Sequence, residues 1–319
     1  MCLITRNSEF AAELLRQGEL IGLPTETVYG LAGNALDEAA VRKIFALKQR
    51  PSFNPLIVHI GRFEDLKIVA SEVPFSLEKL AKHFWPGPLT LLLPRSANIP
   101  DIVTAGKPLV AVRMPAHPMA QEVLHRIDFP LAAPSANPFG AISPTRAEHV
   151  ARYFRGNLSL VLDGGPCRSG LESTIVGIDN GELVLYRHGS ITLEMLREIA
   201  GSVRVHTREE TAPQAPGMLL KHYAPSTRLI LTDNVYEALG ELGQSKVGVL
   251  SFNRSYEHPV IVCQMVLSPA GNLQEAASRL YDALHQLDTM QLDYIVADRF
   301  PEGELGAGIN DRLERASAQ

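Results

Sequence analysis

The sequence predicts two α/β units, and three observations point to them. Strand-like apolar runs alternate with helical patterns along residues 1–201. The stretch HTREETAPQAPG at 206–217 then breaks both periods, with two prolines, a glycine and no apolar repeat. Beyond it a shorter, regular alternation resumes, with strands at 228–232, 247–251, 259–263 and 293–297 and helices near 234–242, 272–287 and 306–316. That rhythm fits a compact unit with a mostly parallel sheet. The division is therefore 1–201, a linker at 202–224, and 225–319. A chain of 319 residues can fill two cores.

The first unit opens with SEFAAELLRQ at 8–17, a helix stopped by Gly18. A strand at 19–23 runs into the loop PTETVYG at 24–30. Val41, Ile44, Phe45 and Leu47 mark a helix at 38–48, which Pro51 and Pro55 keep from extending. A strand at 56–60, a helix at 75–83 and a strand at 89–93 follow, then strands at 109–112, 131–133 and 158–162. Helices near 117–127 and 146–153 are interleaved with these. Strands at 173–178 and 183–186 flank Asp179-Asn180-Gly181, a hairpin signal, and a helix at 192–200 ends at Gly201.

Bulk properties narrow the function. The formal net charge is -5, and the acidic excess lies late: residues 221–319 hold 13 Asp/Glu against 8 Lys/Arg, whereas 1–220 hold 22 of each. A phosphate-gripping surface in the second unit is thereby disfavoured. Cys2, Cys167 and Cys263 stand apart, with neither zinc spacing nor a disulfide framework, which suits a reducing compartment. No basic-then-apolar leader and no run of roughly 18 apolar residues is present, so a cytoplasmic location is expected.

No dinucleotide loop or P-loop appears; Gly303-Glu-Leu-Gly306-Ala-Gly308 lacks the preceding strand such a loop needs. Lys48 and Arg50 end a helix, where they either complement its dipole or form a cationic wall for phosphate or carboxylate oxygens. Arg113 follows the apolar run 109–112, and a cation at a strand end points toward a cleft. Ser135, Asn137 and Ser143 either shape turns and caps or hydrogen-bond a ligand at a strand end. Ser173-Thr174 and Arg187-His188-Gly189 are two further polar clusters. His59 sits inside PLIVHI, with no nucleophile, acid pair or triad partner in sight. Chemistry by positioning and charge neutralisation is the reading that remains.

Taken together, GLPTETVYGL at 22–31, KQRPSFNPL at 48–56, VAVRMPAHP at 110–118, PSANPFGAISPT at 134–145, ESTIV at 172–176 and RHG at 187–189 are recognisable. With PGMLLKHYAP at 216–225 and GAGINDRLERA at 306–316, the chain resembles the long form of the threonylcarbamoyl-AMP synthase family. The resemblance implies a YrdC-like catalytic domain, a twisted mixed sheet under an open, positively lined cavity, followed by a lid-forming linker and a Rossmann-like domain. It implies Lys48, Arg50 and Arg113 as catalytic cations. L-threonine would be held by Thr27, His59, Arg113, the Ala133 backbone and Ser173. ATP would be held by Arg50, Asn54, the Leu109 backbone, Ser135, Ser143, Arg187, and Tyr223 or its neighbour His222. Pro138-Phe139 departs from the small hydroxyl residues of several relatives and touches the rim of the nucleotide site.

The family reaction joins L-threonine, bicarbonate or CO2, and ATP into threonylcarbamoyl-AMP and pyrophosphate for tRNA threonylcarbamoyladenosine modification. Mg2+ would arrive on the phosphates, with no dedicated metal site and no tightly bound cofactor expected. A tRNA-threonylcarbamoyl transferase complex would take the product. Two rival readings compete with this one: a carbamoyl-adenylate-forming transferase, which would bring cysteine-rich zinc modules absent here, and a double-stranded RNA or tRNA binder without turnover, which the charge distribution disfavours.

Overall fold

A computed structural model describes residues 2–206 and 222–318. The first unit runs β1 (Leu3–Thr5), α1 (Ser8–Arg16), β2 (Ile21–Leu23), β3 (Gly30–Asn34), α2 (Glu38–Lys48) and β4 (Ile57–His59). After a 3-10 turn come α3 (Leu66–Val69), α4 (Phe75–Phe84), β5 (Leu89–Pro94), α5 (Asp101–Thr104), β6 (Leu109–Arg113) and α6 (Pro118–Arg126). Then follow β7 (Leu131–Ala132), α7 (Ala147–Tyr153), β8 (Leu160–Leu162), β9 (Thr174–Asp179), β10 (Glu182–Arg187), α8 (Leu193–Ala200) and β11 (Arg204–Val205). The second unit is β12 (Arg228–Thr232), α9 (Val235–Glu241), β13 (Val247–Ser251), β14 (Ile261–Val266), α10 (Leu273–Leu287), β15 (Tyr294–Asp298) and α11 (Glu304–Ser317).

Local chemistry sets these boundaries. Asp37 accepts from the Ala39 amide to start α2, and Gln49, in the left-handed region, ends it before Pro51. Asn180 and Gly181 both have positive φ, 51° and 82°, as a two-residue turn between β9 and β10 demands. The short strands β1, β3 and β11 and the one-turn helices α3 and α5 were not expected. β3 reads GLAGN, too glycine-rich to announce a strand. Arg113 is the last residue of β6 and not the one after it.

The large sheet is mixed, in the order β1-β8-β2-β3-β7-β4-β6-β5-β9-β10-β11. Alternation along its central strands gives it two different faces. Val58, Val110, Val112, Leu91, Leu93 and Val176 join the main core with α2 and α4. Ile57, Ala111, Leu92 and Ile175 form a separate, smaller apolar cluster on the other face. His59 follows Ile57 by two residues and so projects from that second face. β4 and β6 are parallel with His59 opposite Arg113, and β5 brings Thr90 opposite Arg113. Register alone thus gathers polar side chains over one patch of sheet.

The second sheet is entirely parallel, ordered β12-β15-β13-β14. Its helices α10 and α11 do not stand apart from the first unit. Val28, Ile142 and Leu171 share one apolar cluster with Tyr223, Leu280, Tyr281 and Ile309. Ala224 extends this join, its amide donating to the Gly140 carbonyl at 2.8 Å. Most of the expected linker, 207–221, lies outside the described residues. Among the described residues, no helix is long and apolar enough to cross a membrane.

Gly170 shows how close the join is. At φ +70°, a Cβ there would stand 2.3 Å from the Ala277 carbonyl oxygen and 2.5 Å from the Ser278 Cα, both in α10. We expect Gly170→Ala to cost about 3 kcal/mol, combining left-handed strain with overpacking. Gly181→Ala, with φ +82° but open space around it, should cost only about 1 kcal/mol. Urea unfolding of the two variants checks this; equal losses would mean that the interface yields freely.

Candidate functional site

A cavity with about 560 Å³ of empty space lies over the second face of the large sheet. Its lining includes Thr25, Thr27, Arg50, Ile57, His59, Arg113, Ala133, Ser135, Glu172, Ser173, Arg187, His222 and Tyr223. All five residues expected around L-threonine are among them. Of the expected nucleotide set, Arg50, Ser135, Arg187 and Tyr223 line it, with His222 beside Tyr223.

The loop 24–29 is braced from within. Thr25 donates its hydroxyl to the Val28 carbonyl at 2.6 Å and lies 2.9 Å from the Thr27 hydroxyl. Tyr29 ties the loop to the Gly165 carbonyl at 2.8 Å. Thr27 then accepts from Arg113 Nη1 at 2.8 Å, while Arg113 Nε donates to the Gly87 carbonyl at 3.2 Å. Glu26 Oε1 lies 2.7 Å from Arg113 Nη2, an ionic contact out of line for a hydrogen bond.

Arg50 is clamped by the Asn54 carbonyl (3.0 Å), the Asn54 side-chain oxygen (2.7 Å) and the Pro55 carbonyl (2.7 Å). Asn54 therefore serves the site from behind Arg50, without lining the cavity. Burial pulls the Arg50 guanidinium down to about 9; Tyr223 opposes that fall and Arg187 adds to it. Arg187 donates to the Ser173 carbonyl and hydroxyl, each at 3.0 Å, and Ser173 lies 2.7 Å from the Thr90 hydroxyl. Burial lowers Arg187 as well. Three arginines on the lining thus face one carboxylate, Glu172. Such a cavity attracts anions.

Three expected residues are placed differently. Lys48 does not reach the cavity: its amine is spent on the Ser135 and Asn137 carbonyls, fully buried beneath that loop. Burial, with Arg50 nearby, drives its pKa well down. Lys48 thus braces the 135–137 loop from beneath and is not on the lining. Leu109 sits at the start of β6, packed on the small apolar cluster and off the lining. Ser143 is buried and gives its hydroxyl to Glu172 at 2.6 Å.

Glu172 carries more than its sequence context announces. It accepts from Ser143, from Tyr281 of α10 at 2.9 Å, and from Arg312 of α11 at 3.0 Å. Burial pushes its carboxyl up, but Arg312 and Arg187 outweigh that and hold it below the ordinary value. Tyr223, at φ +63°, is buried with its ring 5.9 Å from Tyr281. Phe139, the departure noted in the sequence, meets the His222 ring edge-on at 5.8 Å.

Three buried histidines are held neutral. Burial, then Arg113, lowers His59 to about 3; burial, then His149, lowers His285 to about 3; burial and four cations led by Arg50 drive His222 well down. His59 Nδ1 has no hydrogen-bond partner in its buried position. A neutral imidazole of such weak basicity accepts a hydrogen bond but is a poor proton acceptor at pH 7.

Depressed histidine pKa values make the unfolded chain the better proton binder below about pH 6.5. Stability should fall from there toward pH 3 by up to about 1.4 kcal/mol per pH unit for each such histidine. Unfolding free energies at pH 6.5 and 5 test this, with His285→Gln expected to shrink the loss by about 2 kcal/mol. An unchanged loss would show that His285 titrates normally in the fold.

Comparison with known proteins follows this geometry. Residues 13–189 match the Sua5/YciO/YrdC family model, described as "Telomere recombination". Residues 191–318 match the model described as "Threonylcarbamoyl-AMP synthase, C-terminal domain". The threonylcarbamoyl-AMP synthase of Pyrococcus abyssi is 42% identical over 321 residues, covering 96% of this chain and 93% of that protein. The crystal structure of P. abyssi Sua5 complexed with L-threonine superimposes with a TM-score of 0.92 at 40% identity, covering 99% of this chain and 97% of the other. A shorter threonylcarbamoyl-AMP synthase, from Cellvibrio japonicus, is 34% identical over 175 residues, 55% of this chain and 93% of its own length.

Proposed function

The chain belongs to the threonylcarbamoyl-AMP synthase family, and on that footing we propose which of its residues hold the substrates and how they act. It is an enzyme of the nucleotidyltransferase kind that makes threonylcarbamoyl-AMP, the activated intermediate of tRNA threonylcarbamoyladenosine modification. The observation that carries the residue assignment is the convergence of Arg50, Arg113 and Arg187 on one cavity with a single lining carboxylate.

L-threonine binds beside Thr27, His59, Arg113, Ala133 and Ser173. Arg113 grips its carboxylate, its guanidinium held in place by Thr27, Gly87 and the ionic contact with Glu26. Neutral His59 offers Nδ1 as an acceptor to the amine or hydroxyl. The amine, once deprotonated, attacks the carbon of CO2, one C=O π bond opens onto oxygen, and loss of an N–H proton to solvent leaves an N-carboxylate; starting from bicarbonate, the same product forms with loss of water. One oxygen of that new carboxylate attacks the α-phosphorus of ATP, and the bond to pyrophosphate breaks. Two anions meet in this step, and Arg50 and Arg187 offset their repulsion. Ser135 adds a hydrogen bond to the nucleotide, and Lys48 holds its loop in place.

Glu172 is the only carboxylate on the lining among the described residues, and Ser143, Tyr281 and Arg312 occupy it. The lining therefore does not fit a protein-held magnesium ion; the ion would travel with the triphosphate. The product is a labile mixed anhydride, so a transferase acting on tRNA is the fitting consumer. His222 and Tyr223 close one side of the cavity against water.

Incubation with ATP, magnesium, bicarbonate and carbon-labelled L-threonine tests the reading by mass analysis. Threonylcarbamoyl-AMP should appear with equimolar pyrophosphate and vanish when threonine or bicarbonate is withheld; pyrophosphate release indifferent to threonine would defeat it. Arg113→Gln should raise KM for threonine by about 30- to 150-fold, the equivalent of losing one charge-assisted interaction. Arg187→Gln should act on the KM for ATP instead.

A further inference from the structure

We propose that Arg312, in the C-terminal unit, is a positioning residue of the nucleotide site in the catalytic unit. The inference rests on the assignment of Arg187 to that site and of Tyr223 to its wall.

Arg312 lies in α11 and is only 1% exposed. Its Nε donates to Glu172 Oε2 at 3.0 Å, and its guanidinium carbon lies 5.5 Å from the centre of the Tyr223 ring. Nη1 donates to Asp311 at 2.8 Å, whereas Nη2 is buried with no hydrogen-bond partner among the described residues. One side chain therefore touches both the carboxylate that orients the Ser143 hydroxyl and the aromatic ring that walls the cavity.

A buried ion pair adds little net stability over a well-packed apolar pair of equal volume. What this pair does supply is fixed direction. With Glu172 held ionised by Arg312, the Ser143 hydroxyl donates to it at 2.6 Å, and the carboxylate is fixed in one orientation on the cavity lining. The face of Tyr223 meets a cation, which fixes the ring in a strained backbone conformation at φ +63°. Tyr281 of α10 completes the support of the same carboxylate. Relatives consisting of little more than the catalytic unit bear the same enzyme name, so the chemistry itself does not need α11. The role is one of placing nucleotide contacts, and its signature is KM.

Steady-state pyrophosphate release on the full chain provides the test, with Arg312→Met, Arg312→Lys and the double variant Glu172→Gln/Arg312→Met. Arg312→Met should raise the KM for ATP at least tenfold and leave the KM for threonine within twofold, with Arg312→Lys recovering part of the loss. Arg312→Met strands a buried carboxylate, so its melting temperature should drop. The double variant removes both charges; it should melt near the parent temperature yet keep a raised KM for ATP, because the Tyr223 seat is still missing. The proposal is overturned if Arg312→Met leaves both KM values within twofold, or if the double variant regains the parent KM for ATP. Arg187→Gln, measured in parallel, reports on the site assignment alone. A rise there in the KM for threonine and not for ATP would withdraw that assignment, and the proposal with it.

Discussion

Everything at this site depends on holding three guanidinium groups around one cavity while giving only one of them, Arg113, a close carboxylate partner in Glu26. The fold does so mainly with uncharged acceptors. Arg50 rests on two backbone carbonyls and an amide oxygen, and Arg187 on the carbonyl and hydroxyl of Ser173. Arg113 has the Gly87 carbonyl and Thr27 hydroxyl, with Glu26 as its one anionic neighbour. Neutral acceptors satisfy the N–H groups and leave the positive charge available to substrate oxygens. The remaining repulsion is a standing electrostatic cost that bound anions relieve. Lys48 belongs to the same economy one layer back, since its ammonium organises the carbonyls of the 135–137 loop.

That arrangement needs a platform with one free face, and the large sheet provides it. Helices cover the face of Val58 and Val112, whereas the face of Ile57 and Ala111 bears a small apolar cluster and the cavity above it. Parallel pairing of β4 and β6 places His59 and Arg113 side by side, a relation no local sequence feature encodes. The lining is then completed from far along the chain by Ser173 and Arg187, and by Tyr223 next to the second unit.

Much of this was legible in the sequence, and the failures have physical causes. The strands and helices of the second unit follow the expected alternation closely, because a small parallel sheet writes its burial directly into apolar runs. Arg50 and Arg113 are legible as helix-end and strand-end cations, and Arg187 as part of a polar cluster. The place of Lys48 is not legible, because a charge within a cationic motif reads the same whether its amine faces a ligand or a carbonyl. The role of Glu172 is hidden in ESTIV, since a carboxylate runs against the charge of an anion site. Its partners Tyr281 and Arg312 are 109 and 140 residues away, and only the tertiary fold brings them to it. β3 is hidden by its glycines, one of which, Gly30, packs so close that a Cβ would come within 3.1 Å of the Ala133 side chain.

The apolar cluster shared by Val28, Ile142 and Leu171 with α10 and α11 has a consequence for synthesis on the ribosome. The first unit emerges with its strands ready to pair, but this patch has no cover until the second unit has been made. The nascent chain therefore carries an exposed greasy surface, beside a glutamate still lacking its arginine, through the last third of translation. Such surfaces attract chaperones and, if the wait is long, other nascent chains. Slowing elongation through the second unit would thus lower the yield of folded protein even though every residue of the first unit is already in place.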